Sequence, residues 1–131
     1  MAQGSTRPAA RRRPIDVVLL AADWKTRAPL RAQLIEEGFE VVANDEWKDA
    51  RQYLRLGTKP SLVVVDLQGL SEADTVLRDL KELMKPDRVL VITAIGTESI
   101  ESVQGLGFSV AARPVSIGDL VASVRALLSL P

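Results

Sequence analysis

The feature that most constrains the fold is a strict alternation, from residue 15 onward, between short apolar runs and segments with helical spacing. The third run, LVVVD at 62–66, begins with four consecutive apolar residues, which indicates a central strand covered on both faces. Strands that alternate with helices form a parallel sheet through right-handed crossovers. The sequence therefore predicts an α/β fold, a doubly wound five-stranded parallel sheet between two layers of helices. The predicted strands span 15–21, 39–43, 62–66, 88–93 and 108–112, and the predicted helices span 26–37, 45–56, 71–84, 99–106 and 117–128.

Capping residues and helix breakers predict where the helices begin. Pro29 lacks the N–H that a helix interior needs, so either Thr26 caps a first helix that starts late or the helix kinks at Pro29. Ser71 and Asp74 have the spacing of a capping box, and Ser116 is predicted to cap the last helix. Apolar residues at spacings of three and four predict the buried helix faces. They are Leu30 and Leu34 with Ile35 beside them, then Trp47, Ala50 and Leu54, then Val76, Leu80 and Leu83, and finally Ile117, Leu120, Val121, Val124, Leu127 and Leu128.

The composition excludes several classes of chemistry. The chain has 131 residues, which suits one domain, and it contains no cysteine, so disulfides and thiol chemistry are excluded. It also contains no histidine, so neither the usual zinc sites nor acid–base catalysis by histidine is expected. No apolar run is long enough to span a bilayer and no secretory signal is apparent, so a cytoplasmic protein is expected.

The charges are distributed unevenly along the chain. Residues 1–14 contain four arginines and no acid, whereas the remainder has 13 basic and 17 acidic side chains. Residues 1–14 have almost nothing to bury, so they are predicted to form a disordered basic tail. Residues 15–131 are predicted to form the domain. A solvated leader is the favoured interpretation of the tail, ahead of a contact with nucleic acid or an anionic surface.

Polar and charged residues follow three of the predicted strands. In a sheet of this kind, ligands bind beyond the carboxyl ends of the strands. Asp66 ends the third strand, Thr93 the fourth, and Arg113 follows the fifth. An acid, a hydroxyl and a cation at these points are able to accept, hydrogen-bond and neutralise a phosphoryl group. Taken singly, each has a simpler interpretation, as a turn acid, an ordinary β-branched strand residue, and a cation paired with that acid.

Together these residues resemble the receiver domain of response regulators in bacterial two-component signalling. The stretches LVVVDL at 62–67, VLVITA at 89–94 and ARP at 112–114 carry the resemblance, which extends from residue 15 to 128. It implies the flavodoxin-like (CheY-like) fold and places Asp66 at the phospho-accepting aspartate. It also places Thr93 at the hydroxyl that senses the phosphoryl group and Arg113 at a lysine. It further implies a cis bond between Arg113 and Pro114.

The sequence departs from the receiver pattern at the acidic pair. In the family two acids end the first strand and hold Mg²⁺ together with the phospho-accepting aspartate, and the matching positions here are Ala21 and Ala22. Mg²⁺ requires several oxygen ligands, so binding is expected to be weak or lost. Arginine is not interchangeable with lysine, and the aromatic residue expected three positions before it is Val110.

The favoured hypothesis is a degenerate receiver (a pseudo-receiver), a module without enzymatic activity that acts by protein contact and independently of phosphorylation. One alternative is a working receiver phosphorylated on Asp66, and another is a flavodoxin-like domain that binds a small ligand. Against the last, no strand is followed by a glycine-rich phosphate loop.

The resemblance also indicates a kind of partner. Since the sequence ends soon after the last helix, output through contact is expected. The expected partner is a histidine kinase or another signalling protein. A homodimer through the face of the fourth helix, fifth strand and fifth helix is a further possibility that the resemblance raises. A membrane is not expected as a partner, and neither is nucleic acid, since basic residues are not interleaved with aromatic ones.

Overall fold

A computed structural model of the chain describes residues 14–55, 59–94 and 100–130. Within these residues five β-strands alternate with five α-helices, and a short 3₁₀ turn, Pro86–Arg88, precedes the fourth strand. The strands are β1 (Val17–Leu20), β2 (Val41–Asn44), β3 (Leu62–Asp66), β4 (Val89–Ile92) and β5 (Ser109–Ala111). The helices are α1 (Trp24–Glu36), α2 (Trp47–Leu54), α3 (Ala73–Leu83), α4 (Ile100–Gln104) and α5 (Ile117–Leu128).

The five strands form one parallel sheet in the order β2-β1-β3-β4-β5. Strand β3 lies in the centre, and all five of its residues are buried. The predicted doubly wound parallel sheet is therefore confirmed. In the register of the sheet, Asp66 lies opposite Ile92 of β4, which in turn lies opposite Ala111 of β5.

The alternation of side chains along the strands divides the core into two layers. Val18, Leu20, Val63 and Val65 point to a cluster with the apolar residues of α2, α3 and α4. The intervening strand residues point to the opposite cluster, formed with α1 and α5. Each layer buries one face of the sheet, which is the three-layer arrangement expected from the sequence.

Helix α1 begins earlier than the sequence analysis predicted. The helix starts at Trp24 and is capped by Asp23, whose carboxylate accepts a hydrogen bond from the backbone N–H of Lys25. Of the two alternatives, the late start capped by Thr26 is wrong, and Pro29 lies inside the helix. Ile35, which was predicted beside the core residues, is 43% exposed.

The other boundaries also differ by a few residues. The predicted capping box at Ser71 is wrong, because α3 begins at Ala73 after Glu72, which has a left-handed backbone and no capping side chain. Helix α2 begins two residues after Asp45, and strands β1, β2, β4 and β5 are shorter than predicted. The cap at Ser116 is confirmed, since its hydroxyl accepts from the N–H of Asp119. Residues 1–13 of the predicted basic tail, and the predicted helix ends at Leu56 and Ser99, lie outside the described residues.

Candidate functional site

The candidate site lies at the carboxyl edge of the sheet, where strand periodicity brings Asp66 and Arg113 to the same face. Leu62 and Val64 point to the layer of α1 and α5, so Asp66, two residues beyond Val64, faces that layer as well. Arg113 is two residues beyond Ala111, which faces the same layer. The side chains of Asp66 and Arg113 therefore meet on the face of the sheet that α1 and α5 cover.

Arg113 and Asp66 form a two-pronged ion pair. The guanidinium Nη1 of Arg113 donates to Oδ1 of Asp66, and Nη2 donates to Oδ2 at 2.7 Å. Oδ1 also accepts from the backbone N–H of Gln68 at 3.0 Å. The side chain of Asp66 is fully buried, and that of Arg113 is 13% exposed. Both oxygens of the carboxylate are thus engaged inside the protein.

Two threonines complete the surroundings of the guanidinium. Nη1 of Arg113 also donates to the backbone carbonyl oxygen of Thr93 at 3.1 Å, and Nη2 donates to the hydroxyl of Thr26 at 3.1 Å. The hydroxyl of Thr93 is turned towards the backbone, where it accepts from the N–H of Arg113 at 3.3 Å. The Thr93 hydroxyl is therefore used to position the loop that carries the arginine. The bond between Arg113 and Pro114 in this loop is cis, as the resemblance implied.

The electrostatics of the site favour the charged form of the arginine. The hydrogen bond to Asp66 raises the pKa of Arg113 above its ordinary value, and the negative charges of Asp66 and Asp23 raise it further, while burial acts in the opposite direction. The guanidinium thus stays protonated over the whole physiological pH range.

A second arginine lies beside the positions where the receiver family has its acidic pair. Nη1 of Arg27 donates to the backbone carbonyl oxygens of Ala21 and Ala22, at 2.8 and 3.2 Å. Ala21 is fully buried in the layer of α1 and α5, where the register places it beside Asp66. The guanidinium of Arg27 is therefore hydrogen-bonded to the carbonyl oxygens that follow β1.

These residues do not fit Mg²⁺, the ion that the receiver resemblance implies. The ion requires several free oxygen ligands. Ala21 and Ala22 have no carboxylate. Both carboxylate oxygens of Asp66 accept hydrogen bonds from Arg113, and the carbonyl oxygens of the two alanines accept hydrogen bonds from Arg27. In the described parts of the chain no three acidic side chains lie close enough together to hold a metal. The arrangement of Asp66, Ala21, Ala22 and Arg27 at this edge of the sheet thus does not suit the ion.

Thr26 and Arg27 are members of the site that were not predicted from the sequence. Both lie in the first turns of α1, which follows β1 directly and so starts at the same edge of the sheet. The alternation of strands and helices could have indicated both residues. A helix that follows a strand in a parallel sheet has its first turns at the carboxyl ends of the strands.

Comparisons with known proteins identify the fold. The structure is similar to a receiver domain protein (CheY-like) from Methanospirillum hungatei, with a TM-score of 0.72, 20% identity, and coverage of 88% of this chain and 94% of that one. It is also similar to a receiver protein from Burkholderia phymatum, with a TM-score of 0.71, 22% identity, and coverage of 91% and 98%. A third similar structure is an adenylate cyclase from Rhodopirellula baltica, with a TM-score of 0.69, 20% identity, and 88% of both chains covered.

The fold is therefore that of response-regulator receiver domains, as the resemblance predicted. A comparison with models of protein families finds no match, and neither does a comparison with curated sequences. Among the described residues, no helix has the length and apolar character needed to cross a membrane.

Proposed function

We propose that this chain is a degenerate receiver of two-component signalling, which works as a protein-interaction module independently of phosphorylation. The observation that carries the proposal is the engagement of both Asp66 oxygens by Arg113 inside the protein. In a receiver, the corresponding carboxylate oxygen must be free to attack a phosphodonor. Here the attack would require the guanidinium to leave a buried partner first.

The charges at the site support the same proposal. Phosphoryl transfer depends on cations that neutralise the transferring group while leaving the nucleophile accessible. Arg113 neutralises the nucleophile itself, and Arg27 is held by the carbonyl oxygens of Ala21 and Ala22, directly after β1. The site thus resembles a receiver whose acid is already neutralised, and Arg113, just after β5, is held against Thr93, just after β4.

The module is proposed to act by contact with another signalling protein, a histidine kinase among the candidates, and not by catalysis. Its proposed compartment is the cytoplasm. The receiver fold supports this role, since the buried pair holds the segment after β5 against the ends of β3 and β4. Small-ligand binding has no comparable support from the geometry at the carboxyl edge.

The test is labelling of the full chain with acetyl phosphate in the presence of Mg²⁺, followed by intact mass spectrometry. We expect no gain of a phosphoryl group, while a receiver that retains its acidic pair becomes labelled in the same buffer. A gain that disappears in Asp66→Asn would overturn the proposal and establish the alternative, a receiver phosphorylated on Asp66.

A second experiment tests the contact function. The tagged chain and its Arg113→Ala variant are used to capture cross-linked proteins from the cells in which the chain occurs. We expect a two-component signalling protein to be enriched by the native chain and less by the variant, because the segment after β5 loses its contacts with Asp66 and Thr93. Equal enrichment by both would show that the pair does not shape the binding surface.

A further inference from the structure

Two large apolar side chains of α1, one near each end of the helix, are exposed on a side that does not face the core. Trp24, at the start of the helix, is 63% exposed, and Ile35, near its end, is 43% exposed. Ala28 and Arg31 lie between them and are also exposed. The positions 24, 28, 31 and 35 repeat at spacings of four, three and four, which is the spacing of a helix–helix seam. We call these four residues the α1 seam.

The α1 seam is separate from the faces that α1 uses within the domain. The core face of the helix is formed by Leu30 and Leu34. At the end of α1, Glu37 forms an ion pair of 2.8 Å with Arg125 of α5, and at its beginning Thr26 reaches Arg113. Trp24 and Ile35 take part in neither contact. Helix α1 therefore carries two apolar faces, of which the fold buries one.

The charges beside the α1 seam are arranged against the helix dipole. Helices are stabilised by acids near the first turn and bases near the last. Helix α1 has no acid in its first turn and no base in its last, while the exposed Lys25 and Glu36 stand at the beginning and the end. Neither forms an ion pair within the described residues. This charge order does not stabilise the helix itself.

We propose that two copies of this chain associate through the α1 seam, with the two helices antiparallel. Trp24 and Ile35 are eleven residues apart, and so are Lys25 and Glu36. Eleven residues are about three helical turns, so both pairs keep the same position around the helix. An antiparallel crossing brings Trp24 onto Ile35 of the second copy, and Lys25 onto Glu36 of the second copy.

The same crossing accounts for the remaining features of the α1 seam. Ala28 is small and lets the two helices approach closely. The aliphatic part of Arg31 covers apolar surface while its charged end stays in water. A helix of 13 residues is only ~20 Å long. Two such helices therefore bury less surface than a standard protein–protein interface does. We therefore expect a dimer that dissociates on dilution.

The first test is sedimentation velocity of the full chain over a wide range of concentrations. The native chain should shift from monomer to dimer as the concentration rises. Trp24→Ala should weaken association about tenfold or more, since each dimer loses two buried indoles. The matched control is Ile100→Ala, which truncates another exposed apolar side chain, 39% exposed, on α4. This control should leave association unchanged.

The second test reverses charges. Lys25→Glu and Glu36→Lys should each weaken association, and the double variant should restore it. Within one copy the two residues are ~16 Å apart along α1, too far to pair, so recovery reports a contact between copies. Either single change improves the match to the helix dipole, so neither should unfold the domain.

Three outcomes would overturn the proposal. The first is a monomer at every concentration, which leaves the α1 seam to a helix of a different protein. The second is loss of the dimer in Ile100→Ala with the dimer intact in Trp24→Ala, which places the contact on the face of α4, β5 and α5. The third is a double charge reversal that fails to restore association.

Discussion

Arg113 and Asp66, which are 47 positions apart in the chain, form a two-pronged ion pair across the carboxyl edge of the sheet. The carboxylate is fully buried and the guanidinium nearly so. Burial of a charge pair is costly, and such a pair is maintained only if its hydrogen bonds are satisfied. Here Gln68, Thr93 and Thr26 provide the further partners. This relationship determines what each member of the site contributes to stability.

Removal of Arg113 should be strongly destabilising. In Arg113→Ala the carboxylate of Asp66 stays buried without its counter-charge, and we expect a loss of about 3–5 kcal/mol in the free energy of unfolding. Asp66→Ala should cost less, because the guanidinium is able to turn towards water. Urea unfolding of the two variants and of the double variant measures both effects and their coupling.

The control for this prediction is the ion pair between Arg125 and Glu37, which is largely exposed on the side of the arginine. Arg125→Ala should change stability by about 0–1 kcal/mol. If Arg113→Ala were as mild as Arg125→Ala, the buried pair would not be maintained in solution. Additive effects in the double variant would lead to the same conclusion.

Thr26→Val should weaken the site while keeping the shape of the side chain. The hydroxyl of Thr26 accepts a hydrogen bond from a charged donor, and such bonds contribute about 1.5–3 kcal/mol. We expect the lower end of this range, since Arg113 retains its other acceptors. Thr26→Ser should preserve the stability. Urea unfolding in the Arg113→Ala background supplies the control, because Thr26→Val should have almost no further effect there.

Mg²⁺ should not stabilise the domain. A ligand that binds the folded state raises stability by about 2.7 kcal/mol at a hundred times its dissociation constant. With no free carboxylate at Ala21, Ala22 or Asp66, we expect equal thermal midpoints in MgCl₂ and in NaCl of the same ionic strength. Trp24 fluorescence should likewise show no saturable change. A saturable midpoint shift that disappears in Asp66→Asn would contradict the prediction.

The fold could be predicted from the sequence because its signals are local and repeated. The four apolar residues before Asp66 indicated the central strand, and the alternation of strands and helices indicated the parallel sheet. The boundaries were less certain because several residues compete for the same cap. Asp23 and Thr26 are both good caps, and the choice between them depends on the hydroxyl of Thr26 reaching Arg113, a contact over 87 positions.

The membership of the site could be predicted only in part. Asp66, Thr93 and Arg113 follow from the strand ends, since parallel strands end at one edge. Their burial does not follow from the sequence, because a residue at a strand end is solvated or enclosed depending on the helix above it. Here the first turns of α1 cover the pair, through Thr26. The exposed Trp24 on the same helix could not be told from a core residue by its type alone.

The last prediction concerns the pH dependence of Arg113→Lys. The pKa of Arg113 is raised in the folded state, chiefly by its hydrogen bond to Asp66. A cation whose pKa is raised on folding stabilises the protein fully below its unfolded pKa, and this stabilisation is lost as the pH rises through the folded value. For arginine this loss lies beyond the accessible alkaline range. Lysine has an ordinary pKa of about 10.4, so in Arg113→Lys the contribution should decline above about pH 10.

The measurement is urea unfolding of the native chain and of Arg113→Lys from neutral pH to the alkaline limit of folding. The difference between their free energies of unfolding should stay constant up to about pH 9 and widen above about pH 10. All other side chains are common to the two proteins, so their contributions cancel in the difference. Parallel curves over the whole range would mean that the charge at position 113 does not stabilise Asp66 in solution, and the pair would then lose its role as the element that holds the site closed.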